Sequence, residues 1–211
     1  MARWSPIERD LRAQFGAHIV GVDEVGRGPL AGPVVACAVV MPTDRRAIAG
    51  VNDSKQLNRH TRERLAVQIR AQALVISLGA ASVRDVDRVN IYHATVLAMQ
   101  RALSRVEARL GTAPDHVLVD GKPLRTLGYV HTAVVKGDAK CYAIACASIV
   151  AKVTRDRLMC ALAQRYPWYA WERNAGYGTM QHMTALAEHG LTPHHRRSFC
   201  PDEQATLYAL L

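Results

Sequence analysis

Four carboxylates stand beside glycines in this chain: Asp23 and Glu24 in GVDEVGRGPLAGP, Asp120 in LVDGK and Asp138 in KGDAK. The first two close an apolar run built for burial, and a buried carboxylate must be protonated, paired or bound to a metal. Each site follows a predicted strand, and in open α/β sheets the carboxyl ends of strands converge on one crevice. Four acids packed there would repel one another and take up protons unless a divalent cation holds them ionised. Oxygen-only ligation, with no neighbouring Cys/His set, points to Mg²⁺ or Mn²⁺ rather than zinc. Neighbouring strand residues face opposite ways, so Asp23 and Glu24 reach one cluster only if the strand stops there. The glycine-rich turn is expected to stop it. Any one of these acids alone reads better as a turn residue; their joint placement is what argues for a site.

Those acids need a sheet to carry them. Hydrophobic patterning predicts strands at 18–23, 33–41, 74–82, 116–120 and 129–135. The first two are joined through EVGRGPLAG, a tight connection expected to form a hairpin. Helices are predicted at 59–73, at 90–110 before Gly111, at 142–164 as a buried helix, at 179–189 before Gly190, and from Asp202 onward. Strands first and then strands alternating with helices predict a mixed sheet with helices on its faces. No repeat or low-complexity linker divides the chain, so 1–211 reads as one domain with a helical C-terminal part from about 165.

The bulk composition narrows the partners. With 211 residues and 49% hydrophobic content the chain can bury a substantial core, which excludes general disorder. Lys and Arg number 27 against 18 Asp and Glu, a formal +9 that suits a polyanion such as nucleic acid. Five cysteines, at 37, 141, 146, 160 and 200, include no CxxC and read as reduced thiols. The N-terminus has no apolar signal core, and the apolar runs are too short to span a bilayer. A cytoplasmic protein without membrane contact is the expectation.

The blocks GVDEVGRGPLAGPVV, DSKQL (53–57), LVDGK (118–122), KGDAK (136–140), ASIVAKVTRDRLM (147–159), GYGT (176–179) and HRRSF (195–199) occur in that order. Together they resemble prokaryotic type 2 ribonuclease H, ribonuclease HII, over about residues 18–200. The departures, Val25, the pair Cys141-Tyr142 and Cys146, are packing changes beside the site. The resemblance implies an RNase H-like fold: a five-stranded mixed sheet flanked by helices, with a helical C-terminal extension. It implies an endonuclease that hydrolyses the phosphodiester 5′ of a ribonucleotide, in RNA–DNA hybrids and at single misincorporated ribonucleotides in duplex DNA. Asp23, Glu24, Asp120 and Asp138 would be the catalytic and metal-binding acids, holding two ions roughly 3.5–4 Å apart for an in-line displacement. By analogy Asp23 bridges both ions, Asp138 holds the nucleophile-side one, and Glu24 with Asp120 the other. The family also implies a monomer.

Choosing a ribonucleotide means reading a 2′-OH. Gly26-Arg27-Gly28 suits that: glycines bring backbone close to a hydroxyl, and Arg27 can grip a phosphate. Tyr177 matches the family tyrosine that contacts the ribonucleotide hydroxyl and packs on the next sugar. Asp53, Ser54, Lys55, Lys152 and Arg155 are candidate phosphate contacts, the last two sharing a helix face. His182, His189, His194 and His195 match no zinc spacing and read as helix-surface or cap residues. The tail QATLYALL (204–211) loosely resembles a sliding-clamp-binding peptide, implying a weak clamp contact, although a docked terminal helix explains it better. The rivals are a non-catalytic basic duplex-binding module, which should have lost an acid, and another metal-dependent nuclease or strand-transferase on the same fold.

Overall fold

The computed structural model describes residues 4–200. Five strands, β1 (Ile19–Val25), β2 (Val34–Val40), β3 (Val75–Ala81), β4 (His116–Asp120) and β5 (His131–Val134), form one sheet in the order β3-β2-β1-β4-β5. β1–β2 and β2–β3 are antiparallel, whereas β1–β4 and β4–β5 are parallel. The expected hairpin is therefore present, but β1 does not stop at Asp23. β2 keeps pairing with it through Asp23↔Cys37, Glu24↔Ala36 and Val25↔Val35, so strand geometry outlasts both acids and the turn begins only at Gly26.

Helices cover both faces. α3 (Val83–Leu110) packs on one, against Val20, Val22, Ala36 and Val119. On the other lie α2 (Arg59–Gln72) and α5 (Tyr142–Arg165), against Cys37, Val39 and Met41. The first half of α5, 142–151, is buried on every side, as expected of a helix segment packed between layers. Gly21 lets it in: a Cβ there would lie 2.3 Å from the Ala143 carbonyl carbon. The N-terminal helix α1 (Pro6–Phe15), absent from the expected elements, opens with a Ser5–Glu8 capping box. Buried Glu8 also accepts hydrogen bonds from Tyr142 N at 3.0 Å and Ala143 N at 2.8 Å, so α1 supplies the cap for the first turn of α5.

α3 starts seven residues before the expected 90, behind a second capping box, Ser82 with Asp85. Asn90 breaks it with φ 65°, and its Oδ1 accepts from Tyr92 N and His93 N, capping the longer segment that the periodicity had shown. After α5 come a 3₁₀ turn (Pro167–Tyr169), α6 (Trp171–Asn174) and α7 (Met180–His189), the last capped by Thr179 and ended at Gly190 as expected. Their core of Tyr169, Trp171 and Ala185 packs on Ala31 of the glycine loop and Met159 of α5. The helix expected from Asp202, with the 204–211 peptide, lies outside the described residues. No described helix is long and apolar enough to cross a membrane.

Candidate active site

The parallel pairing of β1 with β4 sets the first two acids. Val22 is level with Val119, so one step further places Asp23 beside Asp120 at the carboxyl edge of the sheet. Asp138 arrives from the one-turn helix α4 (Gly137–Lys140), not from the end of β5 itself. Lys136 turns into that helix with φ 57°, and Asp120 Oδ1 accepts from Gly137 N at 2.6 Å. One carboxylate oxygen each from Asp23, Asp120 and Asp138 lies within 4.8 Å of the others, with Asp23 and Asp138 buried.

Burial raises the Asp23 carboxyl well above the ordinary carboxylate range, and repulsion from Glu24 and Asp120 adds to it. A hydrogen bond from Ser148 works against that rise. Burial also raises Asp138, with repulsion from Asp120 and Asp53 added, while Lys55 offsets part of it. Lys55 Nζ stands 3.5 Å from Asp138 Oδ2. An all-oxygen set of crowded, buried carboxylates fits a hard divalent cation, which would remove the penalty on their ionised forms.

Glu24 is not in this group. It continues the row of Val20 and Val22 toward the α3 side, as alternation in an unbroken strand dictates. There it accepts from Arg27 Nη1 at 3.4 Å. Burial raises its pKa, Arg27 pulls it down and Asp120 pushes it up, so it stays electrostatically joined to the cluster. The premise that the strand must break to use both acids is therefore corrected: β1 stays regular, and Asp23 and Glu24 serve opposite sides of its end.

Glycine 26 has an internal reason to be glycine. Its φ is +92°, and a Cβ would fall 2.2 Å from Arg155 Nε. Gly28 faces outward instead, with Tyr177 Cε1 3.5 Å from the place of its Cβ. Tyr177 is 49% exposed and Arg27 is also exposed. Gly28, Arg27 and Tyr177 thus form one outward edge immediately after the acids.

The candidate phosphate contacts divide. Asp53 accepts from Lys55 N at 2.9 Å and caps a 3₁₀ turn, which leaves the Lys55 side chain exposed beside Asp138. Ser54 is buried and shares a 2.9 Å hydrogen bond with Ser148, so it supports the serine that bonds Asp23. Lys152 pairs with Asp156 at 2.8 Å. Arg155 does not share an open face with Lys152. It has no exposed surface, and its nitrogens donate to the carbonyls of Pro33, Ala175 and Ala31. The (i, i+3) spacing was right for a shared stripe, but the glycine loop and the 175–177 turn cover Arg155. Ser148 and Arg196 went unassigned, though both lie inside motif blocks. His182 and His195 are buried and bonded to each other rather than lying on a surface.

The Ribonuclease HII family model matches residues 20–201. The ribonuclease HII of Thermosynechococcus vestitus is 56% identical over 185 residues, covering 87% of this chain and 84% of its own. The crystal structure of ribonuclease H2 from Pyrococcus horikoshii matches with a TM-score of 0.71 at 25% identity, covering 90% of this chain and 97% of that one. The structure of the PCNA:RNase HII complex from Archaeoglobus fulgidus contributes a chain of the same fold, with a TM-score of 0.67 at 23% identity, covering 87% and 96%. The five-stranded mixed sheet with helices on both faces is thus the RNase H-like fold. A family match over nearly all the described residues, and an acidic cluster at the sheet edge where a hydrolase needs one, lead to one conclusion: the chain belongs to the ribonuclease HII family and is a ribonuclease H.

Proposed function

We propose that this endonuclease cuts the phosphodiester 5′ of a ribonucleotide, both in RNA–DNA hybrids and at single ribonucleotides embedded in duplex DNA. The observation that carries the reading is the continuity of the three-acid cluster with the Gly28–Arg27–Tyr177 edge. A cutting centre that adjoins exposed backbone and a phenol can inspect the sugar next to the bond it breaks.

Asp23, Asp120 and Asp138 would hold two Mg²⁺ or Mn²⁺ ions, with Glu24 the fourth ligand from beside Asp120. Bound there, the ions would supply the positive charge that activates water and stabilises the leaving 3′ oxygen. The protein's own groups do the rest. Ser148 and the Glu24 amide orient the Asp23 carboxylate, and Asp120 holds the turn that delivers Asp138. Arg27 and Lys55 offer cations to the phosphates on either side, and Tyr177 offers its hydroxyl to the ribose. In this reading the protein works in the cytoplasm as a monomer that removes misincorporated ribonucleotides, and a weak sliding-clamp contact through 204–211 is the lesser reading of that tail beside a docked helix.

A duplex carrying one ribonucleotide, incubated with and without Mg²⁺ or Mn²⁺, tests this. Metal-dependent cutting 5′ of that residue is expected. Cutting of the all-DNA duplex, or none, rejects the reading. A clamp pull-down with and without the last eight residues tests the tail.

A further inference from the structure

Two guanidinium groups lie beneath the glycine loop with no exposed surface: Arg155 from α5 and Arg196 from the segment after α7. Burial pulls both below the usual arginine range, Arg196 to about 10. Among the described residues neither is within ion-pair distance of a carboxylate, and each spends its donors on backbone. Arg196 donates to Gly26 O at 2.5 Å, to Arg27 O at 2.8 Å, and to Gly32 O at 2.7 and 3.0 Å. Arg155 donates to Ala31 O at 3.0 Å, Pro33 O at 3.0 Å and Ala175 O at 2.8 Å. The main chain joins the same pieces: Leu30 N donates to Gly176 O and Gly32 N to His194 O, both at 2.8 Å.

A planar trans peptide points its N–H opposite to its C=O. When Arg196 draws the carbonyls of Gly26 and Arg27 inward, the amides in those two peptide planes, Arg27 N–H and Gly28 N–H, must turn outward. Neither amide has a backbone acceptor among the described residues. The Tyr177 turn is fixed to the same frame through Ala175 and Gly176, and a Cβ on Gly176 would lie 2.6 Å from Ala31 O.

We propose that Arg196, assisted by Arg155, is a positioning residue for ribonucleotide recognition. It presents the Arg27 and Gly28 amides to the sugar and holds Tyr177 in register with them. Specificity is then set from beneath the loop by groups that never touch substrate. This rests on the proposed function above. Lysine tests it, because an ammonium keeps the charge but cannot span three carbonyls as a planar fork does.

The full-length R196K and R155K proteins, confirmed folded by their melting curves, are assayed with Mg²⁺ on the single-ribonucleotide duplex. For R196K the KM should rise about tenfold, with kcat and all-DNA duplex affinity held within about threefold, because the phosphate contacts remain. R155K should shift KM in the same direction by less. Wild-type KM in folded R196K, or a loss confined to kcat, overturns the proposal. A measurement that needs neither variant is amide hydrogen exchange in the Asp138→Asn protein, where cutting is blocked. Arg27 and Gly28 should exchange rapidly alone, and become protected by the single-ribonucleotide duplex but not by all-DNA duplex. Slow exchange in the free protein, or equal protection by both, overturns the inference. If the wild type fails to cut at the ribonucleotide, the proposed function falls instead, so the two failures are told apart.

Discussion

At the scale of single residues, the site is a problem in placing negative charge. Asp23 and Asp138 each have about 6% of their surface exposed, and their carboxyls crowd Asp120. On the proposed two-ion mechanism, removing one charge should abolish metal-dependent cutting, because the remaining oxygens would not hold both ions. We expect Asp138→Asn to lower turnover by at least about a thousandfold while duplex affinity, carried by phosphate contacts, changes less than about twofold. Turnover and a filter-binding constant measured on the same preparation check both halves. Tyr177 is a separate matter, since it lies against Gly28 rather than within the acid cluster. Tyr177→Phe should cost about tenfold at a lone ribonucleotide, about the worth of one hydrogen bond, and leave all-DNA binding intact. Unchanged turnover would remove Tyr177 from the recognition edge.

At the scale of elements, the C-terminal part holds that edge through buried polar links. His182 Nδ1–H donates to Tyr177 O at 2.9 Å, and its Nε2 accepts from Trp171 Nε1 at 3.2 Å. His195 Nδ1 accepts from Thr192 N at 2.9 Å, so its Nε2 carries the proton and donates to His182 Nε2 at 3.0 Å. The arrangement needs both rings neutral. Burial, with repulsion from His182 and His194, pushes His195 down to about 4. The unfolded chain takes up this proton below about 6.5 and the folded one does not, so stability is complete above that pH and is lost as pH falls toward 4. The full loss is about 3 kcal/mol. A melting series from pH 7.5 to 4.5 should show a steeper fall for the wild type than for His195→Asn. Parallel curves would mean that this ring is not what acid attacks.

At the scale of the whole molecule, a chain of formal charge +9 carries an acidic notch. The excess of basic groups draws a duplex in, and the notch draws in the cations that the cut requires. Duplex affinity should therefore fall linearly on a log–log plot against salt. Arg27→Ala should reduce that slope by about 1, the share of one phosphate contact. An unaltered slope would mean that Arg27 serves Glu24 alone. The sheet order explains why notch and edge coincide. β1 is central, parallel to β4 and antiparallel to β2, so its carboxyl end meets Asp120 on one side and opens into the glycine loop on the other.

The sequence by itself determined whatever depends on neighbours along the chain. The β4 strand, the Gly190 stop of α7, the hairpin and the acids at glycine-marked turns are all local patterns, legible because periodicity and turn chemistry act over a few residues. Tertiary structure alone decided what depends on distant pairing. Glu24 parts from Asp23 because β2 extends β1 past both acids, which no pattern within 21–33 reveals. Arg155 looked like half of a surface stripe until the loop at 31–33 and the turn at 175 closed over it. Arg196 reaches Gly26 across 170 positions, and Glu8 caps a helix that begins 134 residues later. A buried charge must find its hydrogen bonds wherever the packed chain supplies them, and only the folded molecule says where that is.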